Sequence, residues 1–571
     1  LGNRHQFQNK SKSKLGYVLG LNQSTNYSFY QDGVFAGYVL PGGGVDSLQD
    51  FFSFNDIKST ETVRTGALLG TTFWLNQANE FSFTGLFNHS GELSSQLSSG
   101  FAPQILSQSA NAFTTITNAF KEQFMANGQL KGRHYVQKWR TQIEWVGGYT
   151  RSQQDEPDMK LFAYQTNQQN RSLLSPSEFD NPFHYFRFLD DQVYEGKIDI
   201  EVQYTKHTSN TVKFGGFFNR RDREFEEQRF QIDAEGTGAY INPNNPLYSP
   251  AVIPLQFDTT PNFSMFFDPN NFGIVDTSAN RYIHANYLVN QTRPTNTYSG
   301  FEQTVAAYAM ITFDRPKYRI MGGARLEHIQ MSVFSSDSGS IDALNVLPSI
   351  TAVYKIKDNM NLRAAYSMTL ARPNLRELAP FVAYDLIGAP SFNGNPNLQL
   401  TNITNLDLRY EYFFKPGEVI ALSVYAKEFK NPIIRSYNPL SGSTTGEIIF
   451  TNVDKAQVAG LEIDFRKRLG FISPALENLK FNTNFSLIYS RVDIDSIELN
   501  AIQQVNPDFG DYRPFQGQSP YLINVGLSWD FPKPRLETAL SLNYFADRLS
   551  ENSQAGTPDI YETGRAMLNF T

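Results

Sequence analysis

The chain contains no cysteine. That excludes disulfide scaffolds, thiolate metal centres and cysteine nucleophiles. Long apolar runs are missing too. Hydrophobic residues make up 40% of the 571 and the mean hydropathy is −0.39; no stretch approaches the roughly 18 consecutive apolar residues of a membrane helix. Basic blocks are absent. Lys and Arg number 49 against 56 Asp and Glu, a net charge of −7, so nucleic acid is not an expected partner. The seven histidines (His5, His89, His134, His184, His207, His284 and His328) are scattered without metal-ligand spacing.

Enzyme signatures are missing as well. No nucleophile elbow, phosphate loop or dinucleotide fingerprint occurs. Paired carboxylates such as Asp190-Asp191 and Glu226-Glu227 put neighbours on opposite strand faces or in loops, so they do not form acid/base dyads. The chain does not read as an enzyme, and its expected cofactor complement is none. Helical periodicity is scarce. Ala110, Phe113, Ile116, Phe120 and Phe124 predict one short helix over 107–127, inside a loop. The chain starts at Leu1 with no initiator Met or signal peptide, so a processed or partial form is expected.

What is present is aromatic residue and alternation. Aromatics reach 14%, with 47 Phe and 29 Tyr. In Ile403–Tyr412, Leu406, Leu408, Tyr410 and Tyr412 share one parity, and Asn405, Asp407, Arg409 and Glu411 the other. A period of two is a strand with one apolar and one charged face. Lys197–Tyr204, Leu461–Arg466, Leu362–Thr369 and Tyr521–Asp530 repeat the pattern. Charges on every inner face would be costly in a dry sandwich core. They cost little in the hydrated lumen of a membrane barrel whose other face meets lipid.

The connections agree. Short ones rich in Asn, Asp, Pro and Gly (Leu75–Asn79, Lys206–Thr211, Asp314–Lys317, Ile356–Asn359, Phe414–Gly417, Phe531–Pro534) alternate with long ones, of which 91–132, 235–300, 371–402 and 492–519 are the main external loops. About 18 strands are expected. Between His134 and Tyr164 a turn is needed but no turn signal precedes Gly147-Gly148, which predicts either a tight turn there or residues missing near Arg140.

Ala371-Arg372-Pro373-Asn374-Leu375-Arg376-Glu377-Leu378-Ala379-Pro380-Phe381 follows one such strand. Gly394-Asn395-Pro396-Asn397-Leu398 comes next, then the 405–411 strand, Pro416-Gly417-Glu418, Phe429-Lys430-Asn431-Pro432-Ile433 and Gln516-Gly517-Gln518-Ser519-Pro520-Tyr521. This ordered series resembles the barrel of TonB-dependent outer-membrane receptors, especially the Bacteroidota type with a carboxypeptidase-regulatory-like N-terminal domain. The resemblance spans most of the chain and is strongest from about Gln303 to Phe570.

The resemblance implies an all-β fold: a large antiparallel transmembrane β-barrel of 22 strands, with residues 1–571 lacking the plug and the first and last strands. It implies a Gram-negative outer-membrane location and import of a scarce ligand through a plugged lumen. It implies TonB as a partner, engaged through an N-terminal segment outside this sequence, besides the lipid bilayer. Two rivals stand beside it. One is a non-transporting structural subunit of an outer-membrane complex with surface lipoprotein partners; the other is a passive porin.

Several residues are candidates for contact. Arg372, Arg376 and Glu377 stand near the lumen mouth, where they would grip plug or ligand, or order their own loop through Arg–carboxylate pairs. Asp407, Arg409, Glu411, Glu462, Asp464 and Arg466 face the lumen and would touch the plug or neighbouring strands. Phe263, Phe266, Phe267 and Phe272 would stack on a ligand or pack within the loop 235–300. Asp493, Asp495, Asp508 and Asp511 could collect Ca2+ in an external loop, or be solvated carboxylates.

Overall fold

The computed structural model describes the whole chain except residue 1 and segments 8–12, 40–48, 102–109, 169–171, 175–181, 206–208, 234–247, 251–255, 258–266, 273, 277–281, 285–286, 384–389, 439–445, 532–535 and 555–556. The main sheet has 23 strands. Setting aside four short segments that belong to its connections leaves nineteen wall strands, each antiparallel to the next in sequence. The first eight are β1 (Gly2–Gln6), β2 (Lys14–Val39), β3 (Gln49–Asn76), β4 (Asn79–Phe101), β5 (Ala110–Val136), β6 (Thr141–Asn167), β7 (Phe183–Gln203) and β8 (Thr211–Asp233). They continue as β9 (Tyr298–Asp314), β10 (Tyr318–Phe334), β11 (Ser338–Lys357), β12 (Met360–Ala371), β13 (Thr401–Lys415) and β14 (Glu418–Lys430). The last are β15 (Lys455–Arg468), β16 (Leu479–Asp493), β17 (Tyr521–Phe531), β18 (Leu536–Phe545) and β19 (Arg565–Phe570). This meander is a transmembrane β-barrel wall. No helix among the described residues is long and apolar enough to cross a membrane.

Period-two patterning decides which face is which. On β13, Leu406 is 53% exposed while Glu411 is 8% exposed. Following the register outward from that strand puts Leu362, Val424, Leu461, Leu487 and Tyr521 on the lipid side with Leu406. Arg363, Ser423, Asp464 and Asn484 fall on the inner side. At the turn end the outer face carries an aromatic girdle. Tyr412 and Phe414 lie 4.7 Å apart, Phe465 and Phe481 5.9 Å, and Trp529 and Phe531 5.0 Å, by ring centroids. Such rings suit the membrane–water boundary.

Short and long connections alternate along the meander. Gln77-Ala78, Arg315–Lys317, Asp358-Asn359 and Pro416-Gly417 close tight turns at one end. Gly417 sits there at φ 84°, where a side chain would be strained. One connection at this end is longer: 469–478 forms two 3-10 turns, at Leu469–Phe471 and Pro474–Leu476. One at the other end is short, Ser335–Asp337.

Two expectations are corrected. The helix expected over 107–127 is not formed by its described residues: from Ala110 onward they are strand, paired to β4 on one side and β6 on the other. Ile116, Phe120 and Phe124 are four apart, a spacing that keeps one face in a helix or a strand alike. Two flanking strands pair most of its backbone, and the β-branched run Thr114-Thr115-Ile116-Thr117 favours the extended form. Segment 91–132 is accordingly mostly an extended hairpin of β4 and β5. Nor are residues missing near Arg140. Val136 pairs with Thr141, Arg140 donates its N–H to the Gln137 carbonyl at 3.2 Å, and Arg140 takes φ 50°. The tight turn carries no Gly or Pro, so it left no signal in the sequence.

Candidate functional site

The inner wall carries a continuous hydrogen-bonded belt. Arg363 on β12 donates to Glu411 at 2.8 Å, and Arg409, two residues before Glu411 on β13, donates to its other oxygen at 3.1 Å. The Arg409 guanidinium also donates to Ser423 on β14 at 2.8 Å and reaches Asp464 on β15 at 2.9 Å. Asn484 on β16 donates to the second Asp464 oxygen at 2.6 Å. Five strands are linked by side chains that period-two folding points the same way. The structure thus brings Arg409, Glu411 and Asp464 together. It leaves Asp407, Glu462 and Arg466 on the same wall without a hydrogen bond or ion pair to a described residue.

A second set of inner-wall clusters was not singled out in the sequence. On β7 and β8, buried Asp191 accepts from Arg221 at 2.6 Å and also from Arg223. Asp199 accepts from the Tyr308 hydroxyl on β9 at 2.7 Å and faces Lys197 at 2.9 Å. Arg187 and Glu227, both buried, meet at 2.7 Å, and Asn296 donates to the other Glu227 oxygen at 2.6 Å. The available signal was the i, i+2 spacing of Arg221 and Arg223, which puts like charges on one strand face and demands a carboxylate beside them. A cavity of about 530 Å³ opens on this wall between Arg64, Asn88, Gln123, Gln154 and Arg221.

At the loop end the chain after β12 turns back onto the wall. Arg372 bridges Glu302 on β9 at 3.2 Å and Glu327 on β10. The short helix α1 (Leu375–Leu378) follows, closed by a capping box in which Asn374 and Glu377 satisfy each other's backbone N–H groups. Arg376 donates to the carbonyls of Phe381 at 2.9 Å and Phe392 at 3.1 Å, and lies over the Phe381 ring. Leu375, Leu378, Phe381 and Leu398 pack with Tyr298, Ile329, Met331 and Val333 of the wall. Burial pushes the Glu377 carboxyl above its usual range. Arg372 fastens the loop to the wall, while Arg376 and Glu377 order the loop internally.

Neighbouring loops are knitted to this one. A small sheet runs through Val382–Ala383, Ser391–Asn393, Glu447–Asn452, Ile433–Asn438, Arg548–Ser553 and Ile560–Glu562. Arg513, itself 3% exposed, ties in the connection after β16. It binds Glu498 on helix α2 (Ser496–Val505) at 2.6 Å and Asp559 at 2.8 Å.

The remaining candidates are dispersed. Phe263 and Phe266 lie outside the described residues. Phe267 stands edge-on to His184 with centroids 6.2 Å apart, and Lys160 lies 5.7 Å from its centre. Phe272 is half-buried. The acidic loop does not converge on an open centre. Asp493 and Asp511 both face Arg491, at 3.2 and 2.9 Å, and Asp495 caps α2. Asp508 is exposed. Among the described residues no group of three His, Asp or Glu has metal-binding geometry.

The wall geometry has relatives. The family model described as TonB dependent receptor-like, beta-barrel matches residues 139–570, about three quarters of the chain. No curated protein matches the sequence. Among solved structures, the siderophore receptor PiuA from Acinetobacter baumannii aligns over 97% of this chain and 74% of its own, with a TM-score of 0.51 and 9% identity. The ferric enterobactin receptor PfeA from Pseudomonas aeruginosa aligns over 96% and 72%, at a TM-score of 0.46 and 12% identity. Similarity at the PiuA level is one of fold.

Proposed function

The chain belongs to the TonB dependent receptor-like β-barrel family, and from that premise we propose that it is the barrel of an outer-membrane receptor that imports a scarce ligand through a plugged lumen. Receptors of this family interact with TonB in the outer membrane of Gram-negative bacteria. The observation that carries the import reading is the inner wall. It is lined by fixed, mutually paired charges, as around Arg409, and between them stand Asp407, Glu462 and Arg466, which make no hydrogen bond or ion pair with a described residue. Paired charges hold the wall rigid; the remaining three are open to a plug surface or a passing polar ligand. The loop end, fastened through Arg372 and Arg513, would supply the first binding surface.

In this reading the barrel performs no covalent chemistry. Ligand binds the mouth and the plug apex, TonB pulls on the N-terminal segment, and the plug yields a path along the polar wall. The Ala371–Phe381 and Gly394–Leu398 motifs support the Bacteroidota type with its additional N-terminal domain, and a surface lipoprotein over the mouth is compatible with it.

The test uses the full-length protein. It should bind the periplasmic domain of TonB, and in a planar bilayer it should stay closed until the plug is removed. An open pore with the plug in place would make it a porin. Stable co-purification with envelope proteins and no TonB binding would make it a scaffold. Either result overturns the import reading.

A further inference from the structure

The inner wall of β2 to β4 carries polar side chains that the barrel itself does not use. Asn22 on β2, Gly66 on β3 and Asn88 on β4 are successive cross-strand partners, so they stand at one height, and Arg64 and Ser90 are partners one level nearer the mouth. The register from Asn88 runs through Met125 and Ser152 to Asp191, which puts the whole row on the lumen side. Asn22, Arg64 and Asn88 are exposed there and make no hydrogen bond or ion pair with a described residue. Gly66 brings the two amides together. A methyl group on it would overlap Asn22 Oδ1 and lie 2.9 Å from Asn88 Oδ1. Leu68 and Leu86 are partners one level below, and Leu68 is 38% exposed, so an apolar shelf underlies the amides.

The cavity of about 530 Å³ extends from this patch to Arg221 and Arg223 on β8. Three arginines line it against one carboxylate, Asp191. Arg221 and Arg223 share that carboxylate and Arg64 has none, which leaves two positive charges uncompensated in a chain whose net charge is −7. The two cationic ends are well separated. β3 and β8 are five strand spacings apart, about 24 Å around the wall. Side-chain amides fill the interval, where Gln123 on β5 donates to Gln154 on β6 at 2.7 Å.

We propose that this stretch of lumen wall is a binding subsite for an acidic oligosaccharide, a short chain of sugar acids with carboxylates on more than one ring. The proposal rests on the import reading and adds a ligand class to it. Guanidinium edges at the two ends pair with carboxylates. The amides between them both donate and accept, the pattern that sugar hydroxyls complement. The leucine shelf suits the C–H face of a ring lying under Asn22 and Asn88. A small inorganic anion would reach one cationic end at a time and leave the amides unused. A neutral oligosaccharide would leave Arg64 without a counter-charge.

The test is isothermal titration calorimetry on the full-length protein in detergent, with tetragalacturonate, its methyl ester and tetraglutamate as probes. The wild type should bind the sugar acid, and should bind the ester, which keeps the hydroxyls and loses the charges, about tenfold more weakly. Arg64→Gln should weaken the acid about tenfold, as loss of one charge-assisted pair does, and leave the ester unchanged. Asn22→Ala with Asn88→Ala should weaken acid and ester alike. No binding of the acid, equal affinity for acid and ester, or indifference to Arg64→Gln overturns the proposal. Tetraglutamate bound as tightly as the sugar acid overturns the saccharide assignment. Lower thermal stability in Arg64→Gln with unchanged binding gives Arg64 to the plug and overturns the site. If Arg64→Gln fails to reach a heat-modifiable folded form, the acid and ester comparison on the wild type decides. TonB binding is read separately: sugar-acid binding without TonB would sink the import reading and leave the site, and TonB binding with no response to Arg64→Gln would do the reverse.

Discussion

Arg409 reaches Asp464 across an entire intervening strand, guanidinium to carboxylate at 2.9 Å, passing Ser423 at 2.8 Å on the way. The barrel wall at this height is fastened by side chains as well as by its backbone ladder. Both groups are about one-third exposed, so solvent weakens their attraction and the pair alone is worth about 0.5–1 kcal/mol. Arg409→Ala also strips a partner from the more buried Glu411. The expected cost is about 1–2 kcal/mol in urea unfolding from detergent. A double-mutant cycle with Asp464→Asn should return the smaller figure as its coupling energy. A coupling indistinguishable from zero would mean that the belt is an incidental contact.

Arg372 holds the segment after β12 to two wall carboxylates, Glu302 and Glu327. Glu327 is 3% exposed and keeps Arg325 at 2.6 Å when Arg372 is removed. Arg372→Ala should therefore cost about 1–3 kcal/mol locally without unfolding the wall. Protease nicking within 372–400 should rise while heat-modifiable migration of the barrel persists. Arg372→Lys should restore little, because a single ammonium cannot span both carboxylates in the fork geometry. Unchanged nicking in Arg372→Ala would show that the apolar packing of Leu375 and Leu378 holds the segment unaided.

These two sites mark how far the sequence could be read. Alternation in 403–412 placed Arg409 and Glu411 on the inner face, because a strand's two faces are a matter of parity alone. It could not show that Arg409 spans to Asp464, since that depends on the register between β13, β14 and β15, and register is set by turns as much as by residues. The turn at Arg140 was invisible for lack of Gly or Pro. The helix expected over 107–127 failed because a four-residue apolar spacing serves both periods. The Ala371–Phe381 motif was legible as a signature, whereas its role as a loop fastening required knowing that Glu302 and Glu327 lie under it, some 45 to 70 residues away in sequence.

Gly394 explains the first residue of its motif. A methyl group there would overlap the Ala379 carbonyl oxygen and lie 2.8 Å from the Arg376 carbonyl oxygen. Both are backbone atoms, one of α1 and the other of its C-terminal cap, fixed in place by the capping box and the Leu378 packing, so neither can move aside cheaply. The next residue depends on that approach: Asn395 donates its N–H to the Glu377 carbonyl at 2.7 Å and its side-chain amide to the Phe450 carbonyl at 2.9 Å. Gly394→Ala should destabilise this loop by about 1–3 kcal/mol. Faster hydrogen exchange across 375–398, with wall strands unaffected, is the expected signature. Wild-type exchange in the variant would mean that the two segments separate at no cost.

Buried loop carboxylates give the mouth an inverted response to acid. Burial pushes Asp559 and Glu551 above their ordinary values of 3.8 and 4.5, and the neighbouring guanidiniums of Arg513 and Arg435 only partly reverse it. A carboxyl whose folded pKa exceeds its unfolded one binds its proton more tightly in the folded state. Stability from such a group is fully present below the unfolded value and is lost as pH rises through the folded one. Protection of 548–562 should therefore increase as pH falls toward the ordinary carboxylate range, in the interval just above 3.8 to 4.5. Glu562, held below its usual value by Arg548, works in the opposite sense, so the total slope is a difference and the wild type alone cannot assign it. Asp559→Asn isolates the buried group, because its amide resembles the protonated acid at every pH. Limited proteolysis of both proteins across this interval should show the variant losing less protection than the wild type as pH rises. Parallel profiles would mean that Arg513 keeps Asp559 ionised throughout, and that the cluster is an ordinary ion pair.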